Sequence, residues 1–329
     1  MSEMLDFKVK KNDLDFFGRD LSRPECVLCL ESGDTLVSNW DGGVTRIAPD
    51  GTPHHILPAA GSTPHAIGVN GFAITAEGDF LLADLNPAGG GVWRLQADGT
   101  ATPFLLEVDG EPVPPTNFVG VDAKGRVWIT VSTRHEPRDL AYRGDVTDGY
   151  IILVDKGTAR IVADGLGYTN EAIVDPSGEW LVVNETFGRR TSRLRIGGDG
   201  SLGAKETVTE YGAGVYPDGL AFDEAGGIWM TSVVSNRLVH VAPNGDQTIV
   251  FEDCDADALA TVEDAFQRGE LGRKHMDSVV SDVARSISSI AFGGPDRKTA
   301  YMGNLLDDKI YSFRSPIAGA VPSHWQVKI

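Results

Sequence analysis

Apolar and polar residues alternate in short runs through most of the chain, as in Arg126–Val131 (RVWITV) and Gly227–Ser232 (GIWMTS), and tight-turn signals separate the runs. Alternation with a period of two sends successive side chains to opposite faces of a strand, whereas an amphipathic helix repeats its apolar positions three and four apart. The pattern therefore predicts β-structure, and it recurs in a fixed order. A first strand leads into a turn rich in glycine or charge (ESGD, AEGD, AKGR, PSGE, EAGG, GPDRK) and then a second strand. Most units add a third strand ended by APDG, QADG, DKGT, GGDG or APNG, and a short fourth, the signature of repeated hairpins.

Setting the first strands in register aligns Glu25, Asn70, Asn117, Asn170, Asp218 and Ser288, with separations of 45, 47, 53, 48 and 70 residues. A four-stranded propeller blade takes about 40–50 residues. The spacing predicts an all-β, six-bladed β-propeller, residues 1–329 forming one domain, with the third blade and the connection between the fifth and sixth enlarged. In this architecture the first strand of each blade lines the central channel, so the six aligned residues converge at one mouth. Two segments offer to close the ring: the N-terminal FKVKK and the C-terminal HWQVKI.

The two enlargements are Ser132–Tyr150 and a segment at about 252–285, and strand direction brings both out at the mouth that carries the aligned residues. In the second, Leu259, Val262 and Phe266 recur at helical spacing ahead of Gly269, which predicts a short amphipathic helix poised as a lid. Arg134, His135, Glu136, Arg138, Tyr142 and Arg143 in the first are candidate substrate contacts.

Composition narrows the partners. A chain of 329 residues, 41% hydrophobic, can bury a large core, and a net charge of −18 argues against a phosphate-binding surface and hence against nucleic acid. The opening MSEMLDFKVKKNDLDFF holds no apolar run of signal-peptide length, and no stretch approaches the roughly 20 apolar residues of a membrane span. The expectation is a cytoplasmic protein with a small-molecule partner and no membrane association; nothing in the sequence sets an oligomeric state. Cys26 and Cys29 lie three apart on a predicted strand, face opposite ways and read as buried small hydrophobes.

An Asn or Asp at a strand head ordinarily caps a turn. Several aimed into one space repel or stay unsatisfied unless a cation joins them. The aligned heads, Glu25, Asn70, Asn117, Asn170, Asp218 and Ser288, offer only oxygen donors, the type preferred by hard divalent cations, and no His or Cys falls in register with them. Such an ion polarises a carbonyl. No EF-hand loop, HExxH, P-loop or GxSxG nucleophile elbow competes, which favours attack by water over an acyl-enzyme.

The motifs RPE in the first blade, TN before GVDAKGRVWIT, TNEAIVDPSGEWLVV, YPDGLAFDEAGGIW and FGGPDRKTAYMGN resemble, as a set spanning about Pro24–Arg314, the regucalcin and gluconolactonase (SMP-30) family of six-bladed propellers. The resemblance implies a lactonase holding one divalent cation, calcium first and Mg²⁺, Mn²⁺, Zn²⁺ or Fe²⁺ as alternatives. It implies Glu25, Asn170 and Asp218 as the ligands, with Asn117 beside them contacting substrate or a metal-bound water; as a carboxylate at the metal, Asp218 is then placed to take the proton of an attacking water as general base. His65, just ahead of the second blade, and Glu171, where the family commonly has Gly, are further substrate-binding candidates. Pro115 and Phe118 stand where members acting on sugar lactones often carry Arg and Asp, which points toward a less hydroxylated lactone or ester. A non-catalytic metal-containing binding or sensor propeller, and an isomerase or lyase on the same scaffold, are the alternative readings.

Overall fold

Each predicted strand head falls within two residues of an observed strand start. The computed structural model describes residue 4, residues 6–278 and residues 280–329. The innermost strands are Val27–Cys29, Val69–Ile74, Phe118–Val121, Thr169–Val174, Pro217–Phe222 and Ile287–Gly293, and each begins a four-stranded antiparallel sheet. Six such sheets make the propeller. In the first five blades the strands follow one another in chain order from the channel outwards. The sixth takes its outer strand from the N-terminus: Asp15–Phe17 pairs with Ile310–Arg314, Phe16 opposite Tyr311. Ring closure is thus N-terminal, but it uses the segment after FKVKK.

HWQVKI forms no strand. The C-terminal tail instead crosses the mouth opposite the strand heads, where Ala320 N donates to Phe222 O at 2.9 Å, Ser323 Oγ to Val121 O at 2.6 Å, and Glu31 N to Trp325 O at 2.8 Å. It ties blades five, three and one together across the channel. Above it lies a mainly apolar cavity of about 400 Å³, lined among others by Phe72, Phe118, Ile173, Phe222 and Phe292.

The strands run as almost unbroken buried stretches because every blade is covered on both faces by its neighbours. Phe72, Phe80, Trp93 and Phe118, for example, join one apolar cluster with Leu36 and Val44 of the first blade. Each side chain of that size contributes about 1.5–3 kcal/mol on burial. The recurring Asp and Trp of GVDAKGRVW and AFDEAGGIW are structural: Asp122 Oδ2 accepts from Trp128 Nε1 at 3.0 Å, and Asp223 Oδ2 from Trp229 Nε1 at 3.1 Å. These bonds satisfy the indole N–H of two fully buried tryptophans.

The expected helix forms as α1 (Ala256–Gln267), with α2 (Arg273–Asp277) after it. Asp255 caps α1 by accepting from Ala258 N at 2.8 Å, and Gly269, at φ +67°, ends it in a conformation natural to glycine. Val262 and Ala265 are buried in a cluster with Tyr142, Tyr168, Phe187 and Tyr216, with Leu259 and Phe266 packed at its edge. The helix therefore rests on blades four and five, and Tyr142 of the first insertion meets it there. Arg189 latches it, donating to Glu263 Oε1 at 2.8 Å and Oε2 at 2.6 Å. No helix among the described residues is long and apolar enough to cross a membrane.

Candidate active site at the channel mouth

An irregularity in the innermost strands shapes the mouth. In the fourth blade Thr169 faces Glu185 but the next pair is Ala172 with Val183, so Asn170 and Glu171 together oppose Asn184. The same bulge sets Asn70 and Gly71 in the second blade and Asp218 and Gly219 in the fifth. A bulge bends the strand and re-aims its side chains. The adjacent first strands approach so closely there that a Cβ on Gly71 would lie 2.9 Å from Phe118 Cα, and one on Gly219 2.5 Å from Ser289 Cα. Blade four carries Glu171 at this second position. Its buried carboxylate reaches across to accept from Leu220 N at 3.0 Å and faces the channel cavity.

Glu25, Asn117, Asn170 and Asp218 are all buried at this mouth. Asn170 Nδ2 donates to Thr186 Oγ1 at 2.9 Å, and that hydroxyl spends its own proton on Pro217 O at 2.7 Å. The carboxamide is thereby oriented, with Oδ1 left free. Beneath it, Asn184 Nδ2 donates to Asp218 O at 3.0 Å and Gly219 O at 3.1 Å, holding the backbone of the fifth head. On the first blade, Arg23 Nη1 lies 2.8 Å from Glu25 Oε2 and donates to Asn70 Oδ1 at 3.1 Å, while Asn70 Nδ2 donates to Asn117 O at 3.1 Å. Arg23, at φ +45°, stacks 4.4 Å from the Trp40 ring. Arg23 and Asn70 belong to the cluster although the sequence reading assigned them no role; the RPE motif was the only signal for the arginine.

Electrostatics set the state of the acids. Burial raises the Asp218 carboxyl well above the usual carboxylate range, and the Glu25 charge raises it further, while Arg23, Asn170 and Arg138 pull it down. Burial raises Glu25 too, opposed by Arg23, Arg273 and Arg138. Glu171 is raised by burial and by both of these acids, against the bond from Leu220 N. Among the described residues, Asn117 Oδ1, Asn170 Oδ1 and Glu25 Oε2 have no hydrogen-bond partner, the last touching Arg23 without the alignment of a hydrogen bond. Orphaned buried acceptors beside acids that resist ionisation fit a divalent cation, which satisfies both at once. Among the described residues no three His, Cys, Asp or Glu side chains cluster in metal-binding range, so a cation here has to draw on carboxamide as well as carboxylate oxygens.

The remaining candidates divide. His65 Nε2 lies 2.6 Å from Asp84 Oδ2, edge-on to Trp93. His135 pairs with Asp148 at 2.9 Å, Arg134 with Asp164 at 2.8 Å and Arg143 with Asp145 at 2.7 Å. Arg138 stands apart from these, facing the ring of Tyr168 at 5.5 Å. Tyr168 is two residues ahead of Asn170.

Known proteins share this fold. The sequence profile of the SMP-30/Gluconolactonase/LRE-like region matches residues 24–252. The chain belongs to this family. Among its relatives is 6-deoxy-6-sulfogluconolactonase of Pseudomonas putida, 28% identical over 204 residues that make up 59% of this chain and 65% of that enzyme, just under two thirds of its length. Two SMP-30/gluconolactonase-type propellers of known structure superpose closely. A putative gluconolactonase matches with a TM-score of 0.68 at 17% identity, covering 96% of this chain and 97% of its own. A calcium-binding protein, regucalcin, from Agrobacterium tumefaciens matches with a TM-score of 0.66 at 16% identity, covering 95% and 98%. At such identities the likeness speaks for the fold.

Proposed function

We propose that this member of the SMP-30/gluconolactonase family is a divalent-cation-dependent lactonase whose substrate is a small lactone, residues 1–329 acting as one domain. The observation that carries the reading is the pair of carboxamide oxygens without a hydrogen-bond partner among the described residues, Asn117 Oδ1 and Asn170 Oδ1, gathered with the buried carboxyls of Glu25 and Asp218 at one mouth of the channel. The 6-deoxy-6-sulfogluconolactonase relative supports a lactone as substrate. Glu25, Asn170 and Asp218 would hold the cation, with calcium the first candidate, since their two carboxylates balance a divalent charge. When bound, the cation supplies Lewis-acid polarisation of the lactone carbonyl.

The chain's own groups do the rest. Asn117 offers its free carboxamide oxygen to a substrate hydroxyl. Asp218 accepts a proton from water as the water oxygen bonds to the carbonyl carbon. When the ring C–O bond breaks, Asp218 returns that proton to the leaving ring oxygen, so the product is a hydroxy acid and the carboxylate is regenerated. The aromatic cover of Tyr142, Tyr168, Phe187 and Tyr216 shields one side of the mouth from bulk water.

The test is acid release from a panel of lactones, with chelator and with each divalent ion restored. Asp218→Asn preserves shape and one oxygen donor but removes the basicity. With metal occupancy checked by elemental analysis, kcat should fall by about 10²–10⁴. Full activity of a metal-loaded variant rules out the base, and no turnover of any lactone or ester by the wild type favours a binding propeller.

A further inference from the structure

Among the arginines of the first insertion, Arg134 and Arg143 pair with acids, and Arg138 alone has no ion-pair partner among the described residues. It opens the short 3₁₀ turn Arg138–Ala141, donates from Nη2 to Ser132 Oγ at 3.0 Å, and lies over the Tyr168 ring. Its Nε is shut off from solvent and has no acceptor. The neighbouring cations are compensated: Arg23 by Glu25, Arg189 by Glu263 and Arg273 by Asp277. Among the described residues Arg138 has no carboxylate within ion-pair distance, in a chain whose net charge is −18. An acidic protein that leaves a half-buried guanidinium unpaired beside the channel mouth has many carboxylates to spare for it, so the vacancy calls for a partner from outside.

The position says where that partner lies. Arg138 acts electrostatically on both Glu25 and Asp218, and its aromatic platform leads directly into Asn170. An anion held there sits beside the oxygens proposed to handle the lactone carbonyl. A cation bound by Glu25 and Asp218 would cancel their charge and leave Arg138 as net positive charge facing the ligand. A guanidinium matches a carboxylate, sulfonate or phosphate through two parallel N–H···O bonds, a geometry that a neutral hydroxyl cannot offer.

We infer that Arg138 is a specificity-determining residue that binds an anionic substituent of the substrate, so that the enzyme prefers a lactone bearing a carboxylate, sulfonate or phosphate away from its ring carbonyl. The inference rests on the lactonase reading for the identity of the ring, and on Arg138 alone for the charge.

The experiment compares three glucono-δ-lactones that differ at C6, carrying a hydroxyl, a carboxylate or a sulfonate, against wild type, Arg138→Gln and Arg138→Lys, with folding checked by thermal melting. Wild type should favour the anionic lactones by about tenfold or more in kcat/KM, the scale of one charged hydrogen-bonded contact. Arg138→Gln should bring that ratio close to one, chiefly through KM, and Arg138→Lys should keep part of it. A merely structural arginine would lower all three rates and leave the ratio alone. Equal rates on neutral and anionic lactones in the wild type overturn the inference while the lactonase reading stands, whatever the variants do. Turnover of none of them sinks the lactonase reading instead, and titration calorimetry with the open-chain acids then decides. Tighter binding of glucarate than of gluconate by wild type, lost in Arg138→Gln, upholds the anion site; equal binding, or none, ends it.

Discussion

Asn170 reaches its orientation through Thr186, whose hydroxyl accepts from the carboxamide N–H while donating to Pro217 O. A single methyl for hydroxyl exchange, Thr186→Val, therefore frees the amide to turn its nitrogen toward the mouth. Supports of this kind are worth about 10–100-fold in metal affinity. Titration calorimetry of calcium into chelator-treated protein should show a loss of that order for Thr186→Val and at least as much for Glu25→Gln, which removes one of the two charges. Unchanged affinity in both variants would take Glu25 and Asn170 out of the cation site. At this scale the ligand types were legible in the sequence, because oxygen donors recurred at one register position. Thr186 was not legible: it opens the turn just past the second strand of its blade, which ends at Glu185, and only pairing of the two strands brings it beside Asn170.

At the scale of elements, α1 is held at the channel mouth by one ion pair, Arg189 with Glu263. Burial alone would raise the Glu263 carboxyl, but Arg189, Gln267 and the Gly214 N–H hold it down to about 2. A carboxyl held below its unfolded value adds to stability above that value, near 4.3, and the contribution drains away as pH falls toward 2. Hydrogen exchange in Ala256–Gln267, corrected for intrinsic rates, should thus lose protection in the wild type between pH 4 and 2. Glu263→Gln should show the faster exchange already at pH 7, while the propeller strands stay protected. Equal protection in variant and wild type at neutral pH would mean that the apolar face, Val262 and Ala265, docks the helix unaided. The helix itself was legible from Leu259, Val262, Phe266 and Gly269. Its latch was not, since Arg189 and Glu263 are 74 residues apart and carry no local signal.

For the whole molecule, closure of the ring is the vulnerable step. The sixth blade is completed by three residue pairs between Asp15–Phe17 and Ile310–Arg314, with Phe17 packed 5.4 Å from Tyr301. Deleting the chain through Phe17 exposes an unpaired strand edge and should lower Tm by several degrees and promote association. A melt unchanged from full length would show that the five contiguous blades and the C-terminal tail suffice to hold the ring. Chelation, by contrast, should lower Tm only by ligand linkage and leave the fold intact, because the apolar layers between blades do not involve the mouth.

Taken alone, the sequence determined the number of blades, the inward position of six strand heads and the oxygen character of the candidate ligands. These are local or periodic properties: strand alternation, turn chemistry and spacing act within one repeat and copy themselves along the chain. Only the tertiary structure decided which residues meet. The bulges put Glu171 as well as Asn170 on the channel side, where strict alternation would have separated them. Docking of the first insertion brought Arg134 to Asp164, 30 positions on, and left Arg138 without an acid. Closure fell to Asp15–Phe17, and the C-terminal tail was laid across the far mouth. Each of these outcomes depends on contacts between residues tens to hundreds of positions apart, whose free energy is set by the packing of blades around a common axis and leaves no periodic trace in the chain.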